Sequence, residues 1–183
     1  MNRSAAVLIL LAGLAAPAAA RQFVAIDYAK SRVAFAAKQM NAPFEGNFRK
    51  FEAKLAWDAA KPENSRAEVV IDVASIDIGD RMFDDEAKSK TFFNAPQFPQ
   101  ARFVSSAVKA LGGGRYEAAG KLTIKGIARD VVMPFTVRSE GGASVFDGAV
   151  SIRRLDFKIG EGSWTDTGIL ADDVQVRVRL VAR

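Results

Sequence analysis

The 183-residue sequence contains no cysteine and no histidine. Their absence excludes disulfide bonds, Ser-His-Asp and Cys-His nucleophilic sites, and metal centres built from thiolate or imidazole ligands. Beyond residue 20 the sequence also lacks an apolar run long enough to cross a bilayer. The chemistry left for catalysis is that of carboxylates, lysine, tyrosine or serine, so we expect a protein that is not an enzyme.

The N-terminal residues have the pattern of a secretory signal peptide. One positive charge at Arg3 precedes a run of small and apolar residues over 5–16, and Ala18 and Ala20 form a cleavage pattern before Arg21. The run is too short to span a bilayer comfortably. We predict a cleaved leader at residues 1–20, export of the mature chain, and a single domain over residues 21–183.

The charged residues are mixed in sign along the chain. The formal net charge is +5, and lysine and arginine alternate with aspartate and glutamate instead of clustering. No basic stripe interleaves with aromatic residues, so nucleic-acid binding is not expected. Weak attraction to an anionic membrane surface is a secondary expectation.

Apolar and polar residues alternate with a period of two through most of the chain. In residues 51–57, for example, Phe51, Ala53, Leu55 and Trp57 share one face. Many such segments separated by glycine, proline or charge predict an all-β fold, an extended eight-stranded antiparallel β-barrel. A mid-strand Gly46 predicts a bulge or a bend at a barrel corner.

The alternation breaks between residues 75 and 99, which predicts a small helical insert. Asp80 precedes Met82, Phe83 and Ala87 at helical spacing, so it is placed to cap a helix over residues 80–90. Aromatic residues and prolines follow up to Pro99. The fold prediction is therefore a barrel carrying one helical insert.

The interior of the predicted barrel combines large and small side chains. The sequence has 13 phenylalanines, many at inward positions. Other inward positions carry small residues, namely Ala37, Ala53, Ala67, Ala101, Ala107, Ala118 and Gly120. Such a mixture leaves an elongated void suited to a long apolar ligand, unless neighbouring side chains fill it as ordinary core packing or as a closed structural domain.

Acidic residues cluster in the helical insert, where they permit a second hypothesis. The cluster comprises Asp77, Asp80, Asp84, Asp85 and Glu86. It lacks the spacing of an EF-hand calcium loop, and the first turn of a helix favours acids in any case. The alternative function is a carboxylate-dependent hydrolase or isomerase that uses Asp80, Asp84 or Asp85 on a small amphipathic substrate.

Several short motifs recur in one order along the chain. They are Ser31-Arg-Val-Ala-Phe35, Phe44-x-Gly46-x-Phe48, Val73-Ala-Ser75-Ile-Asp-Ile-Gly-Asp80, Phe92-Phe93-x-x-x-x-Phe98-Pro99-x-Ala-x-Phe103, Gly120-Lys-Leu-Thr-Ile-Lys-Gly126 and Arg154-Leu-Asp-Phe157. In this order they resemble the YceI-like family of exported polyisoprenoid-binding proteins. The resemblance covers residues 23–182 and implies a lipocalin-like barrel in the periplasm. Its tunnel would hold an isoprenoid lipid with a quinone or a polyprenyl phosphate head group.

The candidate site residues follow from strand parity and from the position of the insert. The predicted partner is an isoprenoid lipid or quinone held without a covalent cofactor and without a metal, and pairing of sheet edges into a homodimer is left open. The predicted wall residues are Phe35, Phe48, Phe103, Leu122 and Phe135, and the predicted lid or mouth residues are Met82, Phe83, Phe92 and Phe93.

Overall fold

A computed structural model of the protein describes residues 23–183, and the predicted leader at residues 1–20 lies outside these described residues. Within them, ten strands and one α-helix follow one another, with short 3-10 helices between some of them. The elements are β1 (Arg32–Gln39), β2 (Ala42–Phe48), β3 (Phe51–Ala56), β4 (Arg66–Asp72), β5 (Ile76–Asp77), α1 (Arg81–Lys88), β6 (Gln100–Gly112), β7 (Arg115–Ile124), β8 (Ile127–Glu140), β9 (Ala143–Arg153) and β10 (Asp173–Ala182). No helix between residues 23 and 183 is long and apolar enough to cross a membrane.

The strands form one antiparallel sheet whose two ends meet. Its order is β3-β4-β6-β7-β8-β9-β10-β1-β2-β5. The chain bends between β2 and β3 and again between β4 and β5. Because β2 pairs with β5 and β3 pairs with β4, these two bent strands lie side by side and join the ends of the sheet. Between the paired segments, Arg49 N donates to Ser75 O at 3.0 Å and Asp72 N donates to Lys50 O at 3.1 Å. The predicted antiparallel barrel is confirmed, and its eight strands become ten segments because two of them bend.

The bend in the second strand lies at Arg49 and Lys50, and the prediction that Gly46 marks it is wrong. Gly46 stays within β2, where it pairs with Phe35 of β1. A Cβ at Gly46 would overlap the Phe35 ring. The glycine is therefore needed for the close approach of an aromatic side chain inside the barrel.

The chain ahead of β1 completes the wall between β3 and β10. Val24 N donates to Leu55 O at 2.9 Å, and Ala25 and Arg183 exchange backbone hydrogen bonds at 3.2 and 2.9 Å. Tyr28 adds a side-chain contact, since its hydroxyl accepts from Ala53 N at 3.1 Å. These bonds pair otherwise open strand edges at this end of the barrel.

A β-bulge in β6 changes which residues face the interior. The pairing of β6 with β7 shifts between Ser105 and Ala107. Val108 is therefore buried and Ala107 is exposed. The prediction that Ala107 faces inward is wrong, because an extra residue in one strand reverses the alternation beyond it.

The helical insert begins as predicted. Asp80 caps α1, its Oδ1 accepting from Met82 N at 2.8 Å. The segment after α1 folds back through turns that carry Phe92 and Phe93 towards the barrel. The insert thus covers one end of the lumen.

Two large groups of side chains pack in the core, beside a small third cluster of Ala143, Val145 and Val181. We call the first the filled half; it contains Leu55, Trp57, Val69, Phe135, Phe146 and Leu180. We call the second the open half; it contains Ala101, Leu122, Ile124, Ile152, Phe157 and Ile159, with Phe92 and Phe93 from the insert. The two halves are lined by different stretches of the same strands.

Candidate functional site

The open half encloses a cavity of about 620 Å³. This volume falls within the range of small-molecule sites in proteins. The strand side chains that line it are almost all apolar. They include Val33, Phe35 and Ala37 of β1, Phe44 and Phe48 of β2, Leu122 and Ile124 of β7, Ile152 of β9, and Val174 and Val176 of β10.

The lining of the cavity combines large side chains with small ones. Ala37 and Ala101 are both buried and both line the cavity. Phe35 packs in front of Gly46, and its ring lies 5.8 Å from that of Phe48. Alanine side chains occupy less volume than the aromatic rings beside them, so the lining leaves space unfilled.

The helical insert and the loop before β10 form the far wall. Met82, Phe83, Phe92 and Phe93, the predicted lid or mouth residues, all line the cavity. Phe93 meets Phe48 edge to face at 6.0 Å. Phe92 meets Trp164 of the loop at 5.3 Å. The structure thus gathers the four predicted residues at one place, while their contact with a ligand stays a prediction.

The predicted wall residues separate into two groups. Phe35, Phe48 and Leu122 line the cavity. Phe103 and Phe135 instead line a void of about 50 Å³ in the filled half. All five were predicted from strand parity alone, which distinguishes inward from outward but not one end of a barrel from the other.

An aromatic cluster closes the lumen in the filled half. Trp57 lies edge to face against Tyr116 at 5.0 Å, Phe146 at 5.2 Å and Phe135 at 6.2 Å. Tyr116 also stacks on Phe135 at 5.3 Å. Strand parity predicts an inward face for Trp57, but no sequence signal predicts this cluster. Its effect is to make the cavity a pocket that is blind at this end.

A buried arginine holds the loop that closes the open half. Arg154 is 2% exposed. Its guanidinium donates to the backbone oxygens of Ile159, Gly160, Trp164, Leu170 and Ala171 at 2.6–3.3 Å. Burial lowers the pKa of Arg154, and the negative charge of Asp172 acts against this effect. Every N–H of the guanidinium is engaged, so the side chain acts as a scaffold for residues 159–171.

Four of the five acids in the cluster of the insert form structural bonds. Asp80 caps α1, and Asp84 Oδ1 accepts from Ile78 N at 2.7 Å. Asp85 pairs with Arg81 at 3.8 Å and with Lys88 at 3.1 Å on the exposed face of the helix.

Asp77 bonds Arg49 at 2.9 Å, and this hydrogen bond lowers the pKa of the carboxyl group. Within residues 23–183, no group of three or more acidic side chains is arranged to hold a metal ion. Asp80, Asp84 and Asp85, the three acids of the hydrolase or isomerase hypothesis, bond to backbone N–H groups or to cations instead of to one another, so this hypothesis is not favoured.

Residues 25–182 match the family model of the YceI-like domain. This chain belongs to the YceI-like family. A curated family relative, the UPF0312 protein of Pseudomonas fluorescens strain Pf-5, is 33% identical over 178 residues, which is 87% of this chain and 88% of the relative. The family predicted from the ordered motifs is therefore confirmed.

Solved structures of related proteins share the fold of this YceI-like chain. The crystal structure of Burkholderia cenocepacia BcnA superposes with a TM-score of 0.84 at 48% identity, covering 87% of this chain and all of that chain. A polyisoprenoid binding domain from Saccharophagus degradans, implicated in plant cell wall breakdown, superposes with a TM-score of 0.68 at 15% identity, covering 86% and 97%. At that identity the second likeness concerns the fold alone.

Proposed function

We propose that this YceI-like protein is an exported carrier that holds the chain of an isoprenoid lipid inside its barrel. The observation that carries the proposal is the apolar cavity of about 620 Å³ in the open half. The description of the Saccharophagus degradans domain as polyisoprenoid-binding supports the same class of ligand. Export is proposed from the signal-like pattern of residues 1–20.

The apolar chain dominates the binding free energy in this proposal. Burial of a methylene group contributes about 0.8 kcal/mol, so a five-carbon isoprene unit contributes roughly 3 kcal/mol. An exposed ion pair at a head group adds only about 0–1 kcal/mol. A few enclosed units therefore suffice for micromolar binding after the costs of association and ordering are met.

The charges around the cavity favour a neutral head group such as a quinone over a phosphate. Among the side chains lining the cavity within the described residues, the charged ones are Asp80, Glu86 and Arg154. The two carboxylates lie on the exposed insert and would repel an anion. The cation of Arg154 is already engaged by backbone oxygens. We therefore propose an isoprenoid quinone as the ligand class, with polyprenyl phosphate as the competitor.

Solvent extraction of the purified full-length protein tests the proposal. The extract is analysed by mass spectrometry, and the ligand-free protein is then titrated with a short-chain ubiquinone and with farnesyl phosphate. We expect an isoprenoid lipid in the extract and saturable, tighter uptake of the quinone. A lipid-free extract together with no saturable uptake of either compound would overturn the carrier function. Tighter uptake of the phosphate would overturn the head-group assignment.

Two neighbouring alanines of β1 provide a matched pair for this experiment. Ala37 is buried and lines the cavity, whereas Ala36 alternates to the outer face of the strand. Ala37→Trp should remove the lipid from the extract, and Ala36→Trp should retain it. Equal lipid content in the two variants would show that the lipid binds elsewhere.

A further inference from the structure

Exposed apolar side chains gather around the mouth of the cavity. Met82 is 69% exposed and Phe83 is 46% exposed, and both also line the cavity. Met40 is 75% exposed and Ile169 is 36% exposed. We call these four residues the apolar rim.

The second pair of the rim adjoins the cavity through the backbone. Met40 N donates to Ile169 O at 2.8 Å. The residues next to them in the chain, Gln39 and Leu170, form a β-bridge and line the cavity. The rim is therefore continuous with the cavity wall on two separate elements, the helix α1 and the junction of the β1–β2 turn with the loop before β10.

The pocket is closed at the end opposite the rim, so the rim surrounds the route by which a ligand enters. In residues 23–183 the aromatic cluster around Trp57 fills the opposite end of the lumen. An apolar chain that enters or leaves by the mouth must pass the rim. Isolated exposed apolar residues are ordinary, but a group that continues an apolar cavity marks a surface that meets another apolar phase.

We propose that the apolar rim inserts into the surface of a lipid bilayer, so that the isoprenoid chain passes between membrane and cavity without crossing water. This inference rests on the carrier function proposed above. The occupant is a bilayer because the rim continues the wall of a lipid-sized cavity, and a chain leaving it needs an apolar phase at the mouth.

The charges near the rim determine the kind of membrane binding. Exposed residues of both signs flank the apolar side chains, with Lys38 and Arg81 opposed by Asp80 and Glu86. Long-range attraction to an anionic surface is therefore weak at this end. Insertion is driven by apolar contact, so it occurs on neutral phosphatidylcholine and changes little with salt.

Polar variants at the rim separate docking from ligand binding. Met40 and Ile169 do not line the cavity, and Met40 has a positive φ of 49° that asparagine adopts readily. We therefore use the double variant Met40→Asn/Ile169→Ser. The matched control is Leu111→Asn/Val132→Ser, which changes two exposed apolar residues of β6 and β8.

The transfer experiment uses protein loaded with a fluorescent farnesyl chain and acceptor vesicles of phosphatidylcholine. We expect the transfer rate of the wild type to rise in proportion to vesicle concentration, at low and at high salt. The rim variant should keep its affinity for the probe and transfer it about five-fold more slowly, as the loss of roughly 1 kcal/mol of apolar contact implies. The control variant should match the wild type.

A transfer rate that does not depend on vesicle concentration would overturn the docking proposal while leaving the carrier function intact. Equal rates for the rim and control variants, or loss of transfer at high salt, would also overturn it.

If the probe does not bind, the carrier function fails, and penetration of a phosphatidylcholine monolayer by the unloaded protein still tests the rim. There the wild type and the control should raise the surface pressure more than the rim variant, and equal rises would overturn docking.

Discussion

The two halves of the barrel lumen are built from the same strands but differ in how completely side chains fill them. In the filled half, aromatic rings from separate parts of the chain interlock around Trp57 and leave a void of about 50 Å³. In the open half, phenylalanines and alanines together line a cavity of about 620 Å³. The alternation of apolar and polar residues thus predicts which face of a strand is buried. The sizes of the side chains on that face determine whether the lumen is filled.

The two halves also differ in what holds them together. The filled half is stabilised by apolar packing, whereas the loop over the open half is held by the hydrogen bonds of one buried guanidinium. Polar bonds at the edge of the open half allow the loop to close the barrel without filling it. The filled half is therefore held chiefly by packing, and the loop of the open half chiefly by hydrogen bonds.

Truncating a phenylalanine in each half gives the largest expected difference. Phe146 is buried in the filled half, and Phe35 lines the cavity. Phe146→Ala should lower the free energy of unfolding by about 3–5 kcal/mol, since it leaves an unfilled hole. Phe35→Ala should cost less than half as much because its ring already faces open space. Urea unfolding measures both, and equal losses would refute the distinction between the halves.

Replacing Arg154 tests the polar support of the open half. Arg154→Met leaves buried carbonyl oxygens without donors and should cost about 3 kcal/mol or more. Its neighbour Arg153 is exposed and pairs with Asp172, so Arg153→Met should cost much less stability than Arg154→Met. Urea unfolding gives the totals, and limited proteolysis should show earlier cleavage within residues 159–171 of the first variant alone. Similar losses for both variants would contradict the scaffold role.

Adding the same bulky residue to each half should affect different properties. Ala101 lines the cavity and Ala118 lines the small void, and both are buried. Ala101→Trp should weaken binding of a short-chain ubiquinone about 100-fold, the equivalent of displacing one isoprene unit, with little loss of stability. Ala118→Trp should keep the affinity of the folded protein and cost up to about 3 kcal/mol of stability. The reverse result would place the ligand in the filled half.

The smallest expected effect concerns acid stability at the loop. Asp172 is 16% exposed, accepts from Leu155 N at 3.0 Å and pairs with Arg153. Burial alone would raise its pKa, but these bonds outweigh burial and lower the pKa below the ordinary value of an aspartate. Its stabilisation is therefore present above about pH 4 and is lost as the pH falls through the lowered value.

Asp172→Asn should reduce stability at neutral pH and flatten the loss of stability on acidification. The comparison is a set of urea midpoints between neutral and strongly acidic pH. Asp130→Asn, which changes an 86% exposed carboxyl group, serves as the control and should leave the pH dependence near that of the wild type. An unchanged acid slope in Asp172→Asn would show that this carboxyl contributes nothing to acid sensitivity.

Local patterns predicted most of the strands, the helical insert and its cap at Asp80. The prediction from alternation that Ala107 faces inward is wrong, because the spacing of apolar residues before a β-bulge does not reveal the bulge. The predicted site residues Phe103 and Phe135 face inward as expected, yet they lie in the filled half. Depth along a barrel depends on strand stagger, which neighbouring residues in the chain do not encode.

The residues alone determined that this chain forms an antiparallel barrel with an apolar interior, since the period of two dictates which side chains leave water. The tertiary structure alone decided that one half of the interior holds a cavity and the other half is filled. That outcome depends on which aromatic and small side chains meet across the lumen, and residues as far apart as Trp57 and Phe146 meet only when the barrel closes.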